Sequence, residues 1–129
     1  MILVLTTLLH GLATLPPLTS EHPFRYAYSA HVIATTILSA VWHLKGQPNG
    51  LIMYLDYSFI AIWFFYDMGL MSQIPDSDKP LIILATIFIL CLHELCSTDQ
   101  NYEVYHSLWH IASVIKCIYV SYMLFKVDS

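Results

Sequence analysis

Ser39, His43, Asp56, His106 and His110 are the side chains of this 129-residue chain whose types and spacing could do chemistry together. His106 and His110 lie four positions apart, as do Ser39 and His43. Four positions in an α-helix are about 400° of rotation, so each pair shares one face, a turn apart. Three imidazoles and one water make a tetrahedral Zn2+ site with an exchangeable position. His43, His106 and His110 are the expected metal ligands of such a site. Asp56 is expected to orient the water or accept its proton, and Ser39 to hydrogen-bond that water or a substrate oxygen. Zinc lowers the pKa of water toward ~7 and polarises a carbonyl, which is the logic of amide or ester hydrolysis.

The elements that must position these residues are membrane helices. Hydrophobic residues make up 57% of the chain and charged residues 11%, with a mean hydropathy of +0.63 and only five Lys and Arg. A soluble domain carries roughly 25% charged residues, and so short a chain cannot hide this composition in a soluble core. No stretch alternates as a strand does, and backbone inside a bilayer must satisfy its own hydrogen bonds. The expected fold is therefore all-α, a polytopic transmembrane bundle of four or five helices forming a single integral membrane domain over 1–129. A formal charge of -4 offers no basic stripe for a phosphate backbone. Membrane lipids, not nucleic acid, are the expected partners. Cys91, Cys96 and Cys117 lack C-x-x-C spacing and read as buried thiols.

Met1 to Leu15 is apolar, interrupted by His10 and Gly11 and ended by Pro16-Pro17. Over residues 1–18 a short membrane helix and a signal-like segment both fit, although the basic n-region of a signal is missing. Further spans are expected over Phe24 to Leu44, Leu51 to about Leu70, Leu81 to Cys96 and Tyr102 to about Phe125. Lys45 to Gly50 and the proline-bearing Gln73 to Pro80 are the turns between them. Linkers this short imply antiparallel neighbours. The second span then ends on the side where the third begins, and the fifth begins there too. Ser39, His43, Asp56, His106 and His110 accordingly share a depth toward one leaflet. Ionisable groups at that depth are functional suspects by default.

Other polar residues read more plainly. His31 is expected to be a buried hydrogen-bonding residue, and His93 and Glu94 interfacial groups with contact to the site as the alternative. Lys116 should face the bundle interior or snorkel. Asp67 is a candidate partner for Lys126. Trp42, Trp63 and Trp109 fit interfacial belts and packing. Lys45 on one side against Arg25, Lys79 and Lys126 on the other gives only a slight orientation bias.

These residues resemble motifs of a known group of membrane hydrolases, comprising the alkaline ceramidases, the progestin-adipoQ receptors and the myomaker-like proteins. Ser39-Ala40-Val41-Trp42-His43 resembles its serine-x-x-x-histidine motif, Tyr54-Leu55-Asp56-Tyr57 its aspartate motif, and His106-Ser107-Leu108-Trp109-His110 its final H-x-x-x-H. The resemblance spans roughly Tyr28 to Lys116. It implies zinc on the three histidines, the aspartate and serine beside the water, and a ceramide or related lipid as substrate. Members have seven membrane helices, whereas this chain has room for four or five. So shortened a bundle is expected to need a homomeric partner to enclose a lipid pocket, or to be a fragment. A zinc site keeping structure without catalysis is the alternative function. Either way, imidazole nitrogens should approach one another to ~3–4 Å around a bound ion, and somewhat less closely without one.

Overall fold

In a computed structural model, residues 1–98 and 101–125 are described, and apart from turns they are helical. The chain runs through α1 (Ile2–Leu8), a 3-10 stretch (Leu9–Thr14), α2 (Leu15–Thr19), α3 (Arg25–Leu44), α4 (Leu51–Leu70), α5 (Lys79–Thr98) and α6 (Tyr102–Phe125). Among the described residues four stretches are long and apolar enough to cross a membrane, Ile2–Thr19, Leu51–Gln73, Lys79–Cys96 and Tyr102–Phe125; α3, expected as a span, forms as a helix but its polar buried face keeps it out of this set. The protein is a multi-pass integral membrane protein.

Its surface reads as a bilayer-facing one. On α5, Leu81, Leu84, Ile87, Phe88 and Leu90 are each more than half exposed, a continuous apolar face that water would not tolerate. The polar side chains point inward instead. The buried stripe of α3 is Val32, Thr35, Thr36, Ser39, Ala40 and His43, the 3–4 spacing of one helical face. Thr35 and Thr36 satisfy their hydroxyls on the carbonyls of His31 and Val32. On α6 the matching stripe is His106, His110, Val114, Cys117, Ser121 and Leu124.

The first stretch is the wedge of the bundle. Pro16 and Pro17 do not end it, because they occupy the opening turn of α2, where a missing N–H costs nothing. The 3-10 stretch rises about 2.0 Å per residue against about 1.5 Å in an α-helix. Eighteen residues thereby gain about 3 Å of reach and approach the ~30 Å of a hydrocarbon core. Packed between α3 and α6, the stretch buries Thr7, Ala13 and Pro17. Ser121 of α6 donates to the Ala13 carbonyl at 2.6 Å. The wedge holds the backbones of α3 and α6 apart, and their long side chains meet past it.

The apolar core gathers at the end of the bundle away from His43. It consists of Tyr28, Val32, Trp63, Leu70, Ile74, Ile82, Val120, Leu124 and Phe125, closed around Ala13 and Cys117. There Lys116 meets Asp67 at 2.7 Å. The expected partner of Asp67, Lys126, lies outside the described residues. Lys116 sits in mid-helix, and its four-carbon stem lets its ammonium reach the last turns of α4. Cys96 and Cys117 are buried thiols as expected, but Cys91 is exposed on the outer face of α5.

Candidate metal centre

Two helix ends build the centre. His43 is the penultimate residue of α3, and His106 and His110 lie in the first turns of α6. All three are buried, and one ligand nitrogen from each lies within 4.8 Å of the other two. His43 Nε2 and His110 Nε2 stand 3.1 Å apart. That separation falls in the range expected around a small cation, and the set as a whole is somewhat more open. The ring centroids of the trio are 4.8 to 5.1 Å apart.

Whether the residues fit a metal is decided by their spare lone pairs. His106 Nε2 is buried with no hydrogen-bond partner. An orphaned polar atom there costs about 1–3 kcal/mol, a cost that a bound cation removes. The outward nitrogens of the other two rings are supported. His43 Nδ1 is 2.8 Å from the Gln47 carboxamide. The Thr7 hydroxyl lies 3.3 Å from both ring nitrogens of His110, so it can serve whichever one carries the proton. Outward hydrogen bonds of this kind orient imidazole ligands. The donor set, all neutral nitrogen, suits Zn2+ among the common divalent ions.

Asp56 and Ser39 form a second, adjacent pair. Ser39 precedes His43 by one turn and lies within hydrogen-bonding reach of the Asp56 carboxylate. Asp56 Oδ1 is buried and unpartnered. The carboxylate is not among the clustered donors, so the structure brings Asp56 to Ser39 and not into the histidine set.

Two cavities flank the centre. One of about 280 Å³ lies on the loop side and is lined by Met1, His43, Gln47, Tyr102 and Glu103. The other, about 400 Å³, runs into the bundle past Ser39 and His110. Its walls include Ile60, Ala61 and Phe64 of α4 and Ile89 and Leu90 of α5. These two helices make little direct contact with each other.

Several residues at the centre were not singled out by sequence reasoning. His10 packs edge-on to His110 at 5.5 Å between centroids, its Nδ1 3.0 Å from the Thr7 carbonyl. Its signal was being the one imidazole in the first apolar stretch. Gln47 and Thr7 carried none, one lying in a turn and the other looking like an ordinary helix residue. The tryptophans are not a belt. Trp42 packs on His43, Trp109 on His106 and His110, and Trp63 on His10. Large rings exclude water from the imidazoles, which explains why Trp42 and Trp63 are buried where a belt residue would be exposed. His93 packs edge-on to Trp109 and lines the larger cavity, so it is part of the site's surroundings. His31 instead faces the Phe59 carbonyl at 2.9 Å and stacks on that ring, a structural role as expected.

Comparison with protein-family models, with curated proteins and with solved structures finds no match for this chain, so its membrane fold and its buried three-histidine cluster rest on the structure itself.

Proposed function

We propose that the protein is a membrane zinc hydrolase that cleaves an amide or ester bond of a lipid, as its motif resemblance to the ceramidase-like hydrolases implies. The observation that carries this reading is the His43, His106 and His110 cluster, with His106 Nε2 and Asp56 Oδ1 both buried and without a hydrogen-bond partner among the described residues. Zn2+ held by the three imidazoles would supply a Lewis acid and lower the pKa of water toward ~7. Asp56 accepts the proton of the attacking water on Oδ1 and returns it to the departing nitrogen or oxygen. Ser39 donates its one hydroxyl proton to the Asp56 carboxylate while that group is charged, and turns it to the substrate oxygen once Asp56 has taken up the proton. The two cavities suit this division of labour. Water and ions approach from the loop side past Gln47 and Tyr102, while an alkyl chain enters between α4 and α5.

A second reading has its own support. The backbones of α3 and α6 approach each other at few points, and a cation on His43, His106 and His110 would tie the two helices through their side chains, a structural staple without catalysis. Elemental analysis of purified protein tests the metal. About one zinc per chain is expected, falling below a tenth in His106→Ala, and a wild type without zinc defeats both readings. Lipid turnover then separates them. Asp56→Asn is expected to keep zinc and fold while losing fatty-acid or sphingoid-base release. A wild type that turns over no lipid amide or ester leaves the staple.

A further inference from the structure

α3 ends in a Schellman turn. Gly46 takes the left-handed conformation at φ +75, its N–H bonding the His43 carbonyl at 3.1 Å. The Gln47 N–H bonds the Trp42 carbonyl at 3.0 Å, completing the pattern. The turn needs one left-handed residue, and glycine supplies it. Yet Gln47 follows at φ +59, the one non-glycine at positive φ among the described residues. Glutamine has no local reason to be there, and glycine would hold the same backbone without strain. Strain kept in a native fold points to a use for the side chain.

That use is visible in what the side chain touches. The carboxamide nitrogen is 2.8 Å from His43 Nδ1, and the same side chain is within hydrogen-bonding reach of the Tyr102 phenol. A donating amide makes His43 Nδ1 an acceptor, so the ring proton is on Nε2. Nε2–H can then donate to His110 Nε2 at 3.1 Å. In this state His43 has no lone pair for a cation. A half-turn of the carboxamide brings its oxygen to the same position. The oxygen accepts Nδ1–H, and Nε2 is released as a lone pair facing His106 and His110. No charge changes and no backbone moves.

We infer that Gln47 is a positioning residue that selects the His43 tautomer, its carboxamide turning over as the three-histidine centre takes up a divalent cation. This rests on the zinc reading and deepens it, since it makes metal uptake depend on a residue outside the ligand set. Glutamine is suited to the task because it offers a donor and an acceptor from one planar group. A carboxylate would offer only the acceptor, locking His43 in the metal-ready form. Partners of this kind typically govern metal affinity by 10–100-fold.

The test is zinc competition against a chromophoric chelator, with the full chain in detergent micelles, and thermal unfolding of the metal-free protein. Gln47→Gly is expected to weaken zinc binding by about 10–100-fold, while the metal-free protein melts at the wild-type temperature or above. Gln47→Glu should bind zinc at least as tightly as wild type. Gln47→Asn tolerates the left-handed turn but is one methylene short, and should follow Gln47→Gly, which covers the case where the glycine variant folds poorly. Nitrogen-15 shifts of the His43 ring should report the proton on Nε2 without zinc and on Nδ1 with it. Wild-type affinity in both Gln47→Gly and Gln47→Asn, or a loss in Gln47→Glu equal to theirs, overturns the proposal while the zinc site stands. A wild type that binds no zinc and shows no change in His106→Ala overturns both.

Discussion

The bundle holds two polar clusters, and they are opposites. At one end, Asp67, Lys116, Tyr28 and Trp63 form a closed network. Lys116 donates to Asp67 Oδ2 at 2.7 Å, Tyr28 donates to Asp67 Oδ1 at 3.0 Å, and Trp63 donates to the Tyr28 oxygen at 3.0 Å. At the other end, His106 Nε2 and Asp56 Oδ1 have no partner, and His43 and His110 are left sharing one proton between facing nitrogens. Both lie in helices whose outer faces are apolar, where a buried polar group is costly unless paired. A network that satisfies itself needs nothing more and ties α4 to α6 beside the larger cavity. A cluster with acceptors to spare asks for a cation or a donor to complete it. The difference separates a staple from a site without reference to residue type.

That distinction breaks if the closed cluster can lose a member cheaply. Lys116→Met leaves Asp67 ionised and unpaired beside the cavity. Such a change costs about 3–5 kcal/mol, the largest effect expected here, and is read from reversible unfolding in mixed micelles. Adding Asp67→Asn removes the stranded charge while keeping an acceptor for Tyr28. The double variant should recover most of the loss. If Lys116→Met alone is silent, the pair is not a staple.

Tyr28→Phe sharpens the same point on a smaller scale. It takes the hydroxyl from Asp67 Oδ1 and strands Trp63 Nε1, while the Lys116 ion pair remains. A loss of about 1–2 kcal/mol is expected, with zinc affinity unchanged because Tyr28 belongs to the other end of the bundle. A change in zinc binding would mean that the two clusters communicate through the cavity between them.

The difference between the clusters was only partly legible in the sequence. The H-x-x-x-H of α6 and the S-x-x-x-H of α3 are helical spacings, and short turns fix their common depth, so the three histidines could be brought together on paper. The helix boundaries followed from the same hydropathy, with α3 and α4 displaced by at most a residue. Partner choice across helices was not available, because it depends on how helices rotate and lean. Thus the Lys116–Asp67 pair was not foreseen, because which face of α6 leans on α4 is not encoded in spacing along the chain. Gln47 was hidden because its role depends on a backbone angle, and φ +59 at a non-glycine has no sequence signature. The wedge of Thr7 and His10 was hidden because the 3-10 stretch turns residues by a different angle from the α-helix that periodicity assumes.

The comparison is sharpened most at the open cluster by a change whose sign inverts. In the metal-free protein His106 Nε2 is a polar atom buried without a partner among the described residues, so the residue weakens the fold that carries it. His106→Leu replaces the imidazole with an apolar side chain of similar volume and removes the orphan. The metal-free variant is therefore expected to be more stable than wild type by up to about 1 kcal/mol, since replacing an unsatisfied polar group by an apolar one is neutral or favourable. The order should reverse when zinc is added. At a hundredfold excess over its dissociation constant, zinc would stabilise wild type by about 2.7 kcal/mol, and a variant with one ligand removed should gain far less. The same pair of unfolding curves, with chelator and with zinc, reads both halves. If His106→Leu destabilises the metal-free protein instead, its ring is holding the fold in the way Lys116 does, and the open cluster is a second staple.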